Sequence, residues 1–407
     1  MLSKLLALAV SGQGSVTDYW FATYGDTGYT VEPADVHIAS DESIYIAGWH
    51  TDPAIGGNPV QNGLIIKYTA AGALSWQKTV GTGTVFDGYN WVYGVTVGSD
   101  DNVYIAGKSE NEAGAFVHSY TQSGINRWKR VLDSGGIGID SFSGISGDNA
   151  NNVYVAGYGF NTELTIAKYN SFGVLQFQRE LAGGSNRAEG IACDANGNSY
   201  VTGRIVTTSI APVFAKYSSS GTLLWQRRLD FSSTSFTGNK VAVDSNAVYF
   251  ATSKADAELV KYDLNGTLQW QRQLTAIAGV SGVTVDTFGN VYLCASNYIV
   301  KYNSAGTLQW QRQIVNASGF VAIKHFKGAI YVVGKNNDKL FIAKVPDNGS
   351  LTGTYGSFTY QVSSLTSSAG AATSATTSLP SFTTTSADSA GTIAVESLTL
   401  TSTKTDI

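Results

Sequence analysis

The chain has 407 residues, enough for a sizeable core or for two to three ordinary domains. Only 14% of the residues are charged, whereas 45 are glycine and 12% are aromatic, which favours β-structure with many turns. The net charge is −4 and lysine and arginine form no cluster, so nucleic-acid binding through a basic face is not expected. The two cysteines, Cys193 and Cys294, are too few for a disulfide framework and are expected to be small buried side chains.

The chain opens with "MLSKLLALAVSG", in which one lysine precedes a short apolar stretch. This stretch, Leu5 to Val10, is shorter than the roughly 7–15 apolar residues of a secretory signal peptide. No apolar run reaches the roughly 18 residues that a membrane-spanning helix needs. We therefore interpret residues 1–15 as an N-terminal anchor segment and expect no membrane span.

Residues 16–351 repeat one unit of four predicted strands, named a to d. Strand a is a short apolar run such as "GVTV", strand b carries a tyrosine between apolar residues, and strand c ends in Lys-Tyr or a variant. Counted from the first residue of that pair, a glycine follows after five positions and a large aromatic residue of strand d after nine. The strand-b tyrosines are Tyr45, Tyr104, Tyr154, Tyr200, Tyr249, Tyr292 and Tyr331. The glycines are Gly72, Gly124, Gly173, Gly221, Gly266, Gly306 and Gly349, and the aromatic residues are Trp76, Trp128, Phe177, Trp225, Trp270 and Trp310.

Seven such units predict an all-β fold, a seven-bladed β-propeller, because radial repetition of four-stranded units leaves few exposed strand edges. In the seventh unit Gly353 stands where strand d should carry its tryptophan. Near the other end of the chain, "DYWFATYG" aligns with "LSWQKTVG" of the first unit, with Trp20 over Trp76. We therefore predict that the N-terminal strand completes the last blade and closes the ring.

The units resemble the seven-bladed β-propeller repeat that is found in phage virion proteins and in bacterial secreted proteins. The resemblance is carried by "NNVYVAGYGFNTELTIAKYNSFGVLQFQREL" and by "GNVYLCASNYIVKYNSAGTLQWQRQ", and it covers residues 16–351. Ser119 in place of the lysine and Ser199 before Tyr200 depart from the pattern without threatening the fold. The resemblance implies the scaffold and leaves the function open, because such families share a fold rather than a chemistry.

Two further sets of repeated residues are expected to serve the scaffold. The basic residue two positions after each strand-d aromatic is expected on an outer edge strand, where charge discourages edge-to-edge pairing. A ring of cations that binds an anionic polymer is the alternative. Small or polar residues in the middle of strand a are expected near the axis, where the blades converge. These are Thr96, Ser146, Ala192, Ala242, Thr284 and Ala322, with His37 in the first unit either a channel-facing functional group or a tolerated, hydrogen-bonded exception.

Binding is expected where the repeats differ, in long loops on a rigid scaffold. The first b–c loop, about Trp49 to Gly63, and the next d–a loop, Gly81 to Tyr93, are long and irregular in sequence and should share one face of the ring. Aromatic rings beside aspartate and asparagine suit a sugar or a protein surface, although they could also cover the end of the ring or pad a subunit contact. The candidate binding residues are Trp49, His50, Asp52, Phe86, Asp87, Tyr89, Asn90 and Trp91.

The sequence contains few features that are typical of enzymes. The four histidines are scattered, and no metal-ligand spacing, phosphate-binding glycine loop or nucleophile elbow is present in the sequence. Acids such as Asp194 and Asp286 stand in turns, where aspartate serves the backbone. We therefore expect no enzyme, no cofactor and no metal ion.

Residues 352–407 differ in composition: almost half are serine or threonine, and only four are charged. Phe358, Tyr360 and Val362 alternate as strand residues do. We predict a small C-terminal β appendage that docks on a neighbour or trimerises, with a disordered linker as the alternative.

These features lead to the hypothesis of a non-enzymatic virion structural protein, associated with a phage tail and acting in host attachment. Its partners would be other virion proteins, bound through the N- and C-terminal segments, and a host-surface glycan or protein. A homo-oligomer is expected. The alternatives are a secreted bacterial binding protein, which would be extracellular, a capsid decoration protein, and a glycan-active enzyme.

Overall fold

The computed structural model describes a protein made of β-strands. The described residues are 19–25, 28–55, 58–81, 89–110, 114–133, 141–159, 163–181, 186–206, 210–230, 237–252, 256–275, 277, 279–370, 373–376, 381–382, 387–389, 395–397 and 402–406. None of them forms an α-helix, and so none belongs to a helix that is long and apolar enough to cross a membrane. The predicted N-terminal anchor, residues 1–15, lies outside the described residues.

The first strand, β1 (Trp20–Tyr24), precedes six consecutive four-stranded antiparallel sheets, the blades. Blade 1 is β2 (Thr30–Ile38), β3 (Ile44–Ile55), β4 (Asn58–Tyr68) and β5 (Leu74–Val80); blade 2 is β6 (Asn90–Val97), β7 (Val103–Ser109), β8 (Gly114–Tyr120) and β9 (Asn126–Asp133). Blade 3 is β10 (Ser141–Gly147), β11 (Val153–Tyr158), β12 (Leu164–Tyr169) and β13 (Leu175–Leu181); blade 4 is β14 (Arg187–Cys193), β15 (Ser199–Val206), β16 (Ile210–Tyr217) and β17 (Leu223–Asp230). Blade 5 is β18 (Gly238–Val243), β19 (Ala247–Thr252), β20 (Ala257–Asp263) and β21 (Leu268–Leu274); blade 6 is β22 (Gly282–Val285), β23 (Val291–Ala295), β24 (Tyr298–Tyr302) and β25 (Leu308–Val315).

Blade 7 joins the two ends of the propeller. It contains β26 (Ser318–Phe326), β27 (Ala329–Asn336) and β28 (Lys339–Pro346), and β1 pairs antiparallel with β28 as its fourth strand. Trp20 lies opposite Lys344 and is completely buried. The first strands of neighbouring blades contact one another around the whole ring, from β2 through β6 and onward to β26 and back to β2. The predicted seven-bladed ring and its closure by the N-terminal strand are confirmed.

The C-terminal strands lie on the ring itself. After β29 (Gly353–Tyr355), seven strands follow: β30 (Phe358–Val362), β31 (Ser367–Ala369), β32 (Thr373–Thr376), β33 (Ser381–Phe382), β34 (Ala387–Ser389), β35 (Val395–Ser397) and β36 (Ser402–Asp406). In this order they pair antiparallel with the fourth strands of blades 6, 5, 4, 3, 2, 1 and 7. We call β30–β36 the belt, because it adds a fifth strand to every blade as it passes once around the ring.

The belt changes the role of the basic residues in strand d. These residues were predicted to protect an outer edge, yet strand d is covered by the belt in every blade. Their side chains instead reach the next blade. In blade 5, Arg272 Nε donates a hydrogen bond to the Gly306 carbonyl of blade 6 at 2.5 Å. The prediction of charged outer edges was therefore wrong, since the edge that needed protection is paired.

A set of contacts between consecutive blades, which we call the inter-blade latch, uses the repeated residues of strands c and d. Lys261 Nζ and Trp270 Nε1 both donate to the Ser304 carbonyl of blade 6, at 2.8 and 3.0 Å. The Trp270 ring packs on Gly306, where an added Cβ would lie 2.9 Å from it, and Gly306 has a φ of +75°. Close approach and positive φ together make glycine the residue that fits here.

The latch recurs around the ring with small variations. Trp76, Trp128, Trp225 and Trp310 donate to the carbonyls of Gln122, Ser171, Leu264 and Asp347. Arg130, Arg179, Arg227 and Arg312 donate to the carbonyls of Gly173, Gly221, Gly266 and Gly349. Phe177 lacks an indole donor, but its ring keeps the same place against Gly221. The repeated Trp-Gln-Arg motif therefore fastens each blade to the next.

The layer of side chains around the axis differs from the prediction in one blade. The axial residue of each blade is the Cα partner of the strand-b tyrosine, and in blade 7 that partner is Lys324, not Ala322. The pairing of β26 with β27 is regular from Ala322 to Phe326, so Ala322 lies two residues away from the axial position. His37 is the partner of Tyr45, as the repeat predicts.

Candidate functional site

The two faces of the ring differ in how strictly they repeat. One face carries the a–b and c–d connections, which are short turns closed by backbone hydrogen bonds such as that from Gly306 N to Asn303 O at 2.9 Å. We call this the turn face, and the opposite end, with the b–c and d–a connections, the loop face. The connections of the loop face differ in sequence from blade to blade. Candidate binding residues are therefore expected on the loop face.

The first b–c connection is a β-hairpin rather than an irregular loop. Strand β3 continues to Ile55 and β4 begins at Asn58, so most of the predicted loop is paired, with a register irregularity between Asp52 and Ile55. Trp49 lies in this hairpin opposite Gly63. The hairpin extends blade 1 beyond its neighbours on the loop face.

Aromatic residues of the hairpin and of β6 form a cluster on the rim of the loop face. Trp91 Nε1 donates a hydrogen bond to Gln61 Oε1 at 2.9 Å, and Lys108 Nζ lies 4.9 Å from the centre of the Trp91 ring. The Tyr89 ring, 36% exposed, has its centroid 5.5 Å from that of Trp91. The cluster is thus fixed by polar contacts while part of its surface stays accessible.

The other predicted site residues have different positions. His50 is 1% exposed, with Nε2 3.3 Å from Thr79 Oγ1, and Asn90 is completely buried, so these two support the hairpin from inside. The backbone of Asp52 pairs with Val60, and its side chain is not among those described. Phe86 and Asp87 lie outside the described residues. The predicted binding role of the set stays a prediction.

A second region on the loop face was not predicted. The first strands of blades 1 to 5 each contain a β-bulge, where one residue is skipped in the pairing with strand b. A bulge redirects a side chain, and here it points the skipped residues toward the axis. The skipped residues are Ala34, Tyr93, Ser143, Glu189 and Asn239, and all five line a single cleft of about 280 Å³. We call it the axial cleft.

Ionisable groups are concentrated in and beside the axial cleft. Arg187 and Lys240 line it with Glu189, and Arg204 lies directly opposite Arg187 in the β14–β15 pair. Burial raises the pKa of the Glu189 carboxyl, although Arg187, Arg204 and Lys240 oppose the shift. Perturbed ionisable groups in a cleft are typical of functional sites.

The cleft and the aromatic cluster meet at Tyr93. Its ring lies 5.8 Å from that of Trp49 in an edge-on arrangement, and its other side faces the cleft. Burial raises the pKa of Tyr93 to about 12, so its hydroxyl is a hydrogen-bond donor at neutral pH. The predicted aromatic site and the axial cleft are therefore neighbours on one face.

The bulged position carries a signal that sequence comparison of the units could have used. It stands three residues before the axial layer and is occupied by alanine, tyrosine, serine, glutamate and asparagine in blades 1 to 5. The residues that flank it along strand a also differ from blade to blade, so the signal is the fixed distance to the axial layer. In four of these five blades the residue at this distance can form hydrogen bonds through its side chain, and this is the sign of a polar cleft that the sequence offered.

The channel below the cleft is about 290 Å³ in volume and is lined by the axial layer. His37 and Lys324 both line it, and burial, helped by the Lys324 charge, lowers the pKa of His37 to about 3. Of the two interpretations of His37, the structure supports the channel-facing position, and it records no hydrogen bond of the ring to another described residue.

Groups that would indicate metal or thiol chemistry do not occur in the described part of the chain. No three histidine, cysteine, aspartate or glutamate side chains there are arranged to hold a metal ion. Both cysteines are free, Cys294 is fully buried, and burial raises the pKa of both thiols. Asp286 accepts hydrogen bonds from the Phe288 and Asn290 amides and from the Tyr292 hydroxyl, the backbone role predicted for turn aspartates.

Comparison with known proteins identifies a fold. No family model matches the chain, and no curated protein matches it. Among solved structures it is similar to a catalytically inactive variant of virginiamycin B lyase from Staphylococcus aureus with quinupristin, at 13% identity, TM-score 0.57, and coverage of 80% of this chain and 99% of that one. It is similar to the WD40 β-propeller domain of Doa1, at 11% identity, TM-score 0.54, and coverage of 78% and 97%. It is also similar to the RRP9 WD40 repeats, at 10% identity, TM-score 0.56, and coverage of 79% and 98%. At these identities the likeness concerns the fold alone, and together with the seven blades it establishes that the chain is a seven-bladed β-propeller.

Proposed function

We propose that the protein is a non-enzymatic binding propeller of a phage virion, associated with the tail, that attaches to the host surface through its loop face. The observation that carries the proposal is the aromatic cluster around Trp91. Its Trp91 ring lies at the start of β6 and donates a hydrogen bond to Gln61 of the β3–β4 hairpin, which projects from the loop face. Partly exposed aromatic rings with polar groups beside them suit a glycan or a protein surface.

The rest of the molecule suits a particle that works outside a cell. The two cysteines are free, Cys294 is buried and Cys193 is partly buried, and the belt pairs the fourth strand of every blade. The belt strands at the new outer edges are short, and short edge strands resist edge-to-edge association with other chains. Because the belt lies on the ring, anchoring in the particle is assigned to residues 1–15, which lie outside the described residues. A homo-oligomer remains part of the proposal.

The site is tested by substitution at the two faces of the ring. Purified wild type, Tyr89→Ala and Trp91→Ala are compared on a glycan array and on intact host cells. Phe288→Ala is the matched control, since Phe288 is an 83% exposed aromatic residue in a turn of the opposite face. We expect at least a tenfold loss of binding for Trp91→Ala and none for Phe288→Ala. Equal binding by all four proteins would refute the site.

The location is tested separately, by mass spectrometry of purified virions. Detection at a stoichiometric level in the tail fraction supports the proposal. Detection only in the culture medium favours the secreted bacterial binding protein, and detection in tail-free heads favours a capsid decoration protein. Hydrolysis of a bound glycan by the wild type, lost on one acid substitution, would favour the glycan-active enzyme.

A further inference from the structure

The two arginines beside the axial cleft form an unusual pair. Arg187 and Arg204 are direct Cα partners in the antiparallel β14–β15 pair, an arrangement that brings their side chains to the same side of the sheet. Like charges at directly opposite positions are destabilising. The Nε atoms of both arginines are buried and have no hydrogen-bond partner among the described residues. Two guanidinium groups with free donors are therefore held next to the cleft.

The nearest acid does not neutralise these charges. Glu189 interacts with Arg187, Arg204 and Lys240 over a distance, but it forms no ion pair within 4.0 Å with another described residue. Its burial favours the neutral carboxyl over the carboxylate. Three cationic side chains thus surround one acid, in a protein whose net charge is −4. The local field at the cleft attracts anions.

The remaining lining suits hydroxyl groups and a ring. Tyr93, Tyr158 and Ser143 line the cleft, and their hydroxyls make no hydrogen bond to other described side chains. The Arg187 guanidinium lies 4.4 Å from the centre of the Tyr158 ring, which fixes its orientation. Asn239 Nδ2 is used, donating to the Val280 carbonyl at 2.7 Å, so its Oδ1 is left as an acceptor. Donors and acceptors for hydroxyls therefore surround the positively charged corner.

From this arrangement we propose that the axial cleft binds a carboxylated sugar. The carboxylate contacts Arg187 and Lys240, and the sugar hydroxyls contact Tyr93, Ser143 and Asn239. A guanidinium binds a planar carboxylate through two parallel hydrogen bonds, which an uncharged sugar cannot accept in the same way. The cleft volume of about 280 Å³ is near the lower end of the range for small-molecule sites, in agreement with one sugar unit.

The inference rests on residues different from those of the proposed attachment site, and it deepens the proposed function by naming a ligand class. If both hold, an acidic polysaccharide of the host surface could place one unit in the cleft and rest others on the aromatic cluster, because Tyr93 touches both regions. The ligand-binding test needs no virion. If the ligand-binding test fails, the proposed role in the virion is unaffected. If the protein is absent from virions, the proposed ligand of the axial cleft is unaffected.

The test is calorimetric titration of the full chain with glucuronate, glucose and inorganic sulfate. We expect glucuronate to bind at least tenfold more tightly than glucose, because glucose lacks the carboxylate, and more tightly than sulfate, because sulfate lacks the hydroxyl contacts. Equal affinity for sulfate and glucuronate would mean that the cleft binds anions without recognising the sugar hydroxyls. Equal affinity for glucose and glucuronate would remove the role of the cations. Either result overturns the proposal.

Variants locate the binding in the cleft. Lys240→Met and Arg187→Met remove one charge each while keeping much of the apolar stem, and each is expected to weaken glucuronate binding at least tenfold. Lys327→Met makes the same charge change at a 58% exposed side chain on the turn face and should leave binding unchanged. Glu189→Gln should bind glucuronate as well as the wild type or better. Unaltered binding by both cleft variants, or a tenfold loss in Lys327→Met, contradicts the site. Arg187→Lys, which keeps the charge, provides the second test if Arg187→Met does not fold.

Discussion

At the scale of single residues, the latch glycines combine two constraints that a matched pair of substitutions can separate. Gly306 and Gly328 have nearly the same backbone, with φ of +75° and +79°. A Cβ on Gly306 would lie 2.9 Å from the Trp270 ring, whereas one on Gly328 would meet nothing within 4 Å. Alanine should therefore destabilise both positions equally through its backbone conformation. Only at Gly306 should it also destabilise the protein through a clash with a neighbouring side chain.

We predict that Gly328→Ala lowers the free energy of unfolding by about 1–2 kcal/mol, the cost of a left-handed alanine. Gly306→Ala should lower it by a further ~1–3 kcal/mol, because the Trp270 ring must move. Urea unfolding followed by tryptophan fluorescence measures both values. Equal losses would mean that the contact between Trp270 and Gly306 contributes nothing to the ring.

His37 gives a second prediction at this scale, for the dependence of stability on pH. Burial and the nearby Lys324 charge lower its pKa in the folded chain to about 3, from 6.5 in the unfolded chain. The unfolded state therefore binds the proton first as the pH falls, and the free energy of unfolding decreases from about pH 6.5 downward. His118, whose pKa burial also lowers to about 3, adds the same trend.

Between about pH 7 and pH 5, His37→Gln should show roughly half the loss of stability that the wild type shows, because His118 still titrates. The slope for one histidine is at most about 1.4 kcal/mol per pH unit. Unfolding in urea at the two pH values measures it. An unchanged pH dependence in the variant would show that His37 is accessible to protons in the folded ring.

At the scale of elements, strand β1 carries the closure of the ring. Trp20 is completely buried against Gly72 of blade 1, and the Tyr24 hydroxyl donates a hydrogen bond to Gln77 of the same blade. Removing the Trp20 ring should leave a cavity between the last and first blades. We predict that Trp20→Ala lowers the free energy of unfolding by about 3–5 kcal/mol.

Trp20→Phe is the control for this substitution, since Phe177 fills the equivalent place in blade 3. It should cost about 1 kcal/mol, because the ring stays and only part of its surface is lost. Urea unfolding of the two variants beside the wild type gives the comparison. A cost below about 1 kcal/mol for Trp20→Ala would mean that β1 is not part of the cooperative ring.

How much the sequence could predict also differs from element to element. The blades follow from anchors at fixed spacing, and the closure follows from one missing tryptophan and one displaced copy of it. The axial position of blade 7 was misplaced to Ala322, although Lys324 stands as far before Tyr331 as Ala242 stands before Tyr249 in blade 5. The axial cleft escaped notice for a different reason: its residues are bulged, and a bulge changes which way a side chain points without changing the hydrophobic pattern.

The belt was the hardest element to foresee. Its strands are short, and nothing in them repeats the blade anchors, so alternation in Phe358, Tyr360 and Val362 predicted the strands of an appendage that docks on a neighbour or trimerises. The partner turned out to be the chain itself: β30 pairs with β25 of blade 6. Strands as short and polar as β31 and β32 carry little hydrophobic pattern, and such strands specify their pairing weakly.

At the scale of the whole molecule, the belt makes a ring of seven sheets into one continuous structure. It leaves blade 7 for blade 6 and runs against the chain order of the blades until β36 reaches β1. The two ends of the described chain thus meet in one sheet. The path of the belt can be tested by cross-linking its last strand, β36, to its pairing partner, β1.

We predict that Thr23→Cys with Thr403→Cys forms a disulfide within one chain, since Thr23 and Thr403 are Cα partners in β1 and β36. The control pairs Thr23→Cys with Ser381→Cys, because Ser381 lies opposite Leu181 of blade 3, on another part of the ring. Cys294 is buried, Cys193 is partly buried, and burial raises the pKa of both thiols, so neither native cysteine should compete. Non-reducing gels and intact mass of the monomer distinguish a cross-link within one chain from a covalent dimer.

The two outcomes separate two assemblies that share the same strand pairs. A disulfide within the monomer, absent from the control, means that the belt of each chain pairs with the blades of the same chain. Covalent dimers from the matched pair alone would mean that the belt of one chain covers the blades of another, since antiparallel pairing uses the same hydrogen bonds within and between chains. Equal cross-linking of the matched and control pairs would contradict the register of β36 altogether.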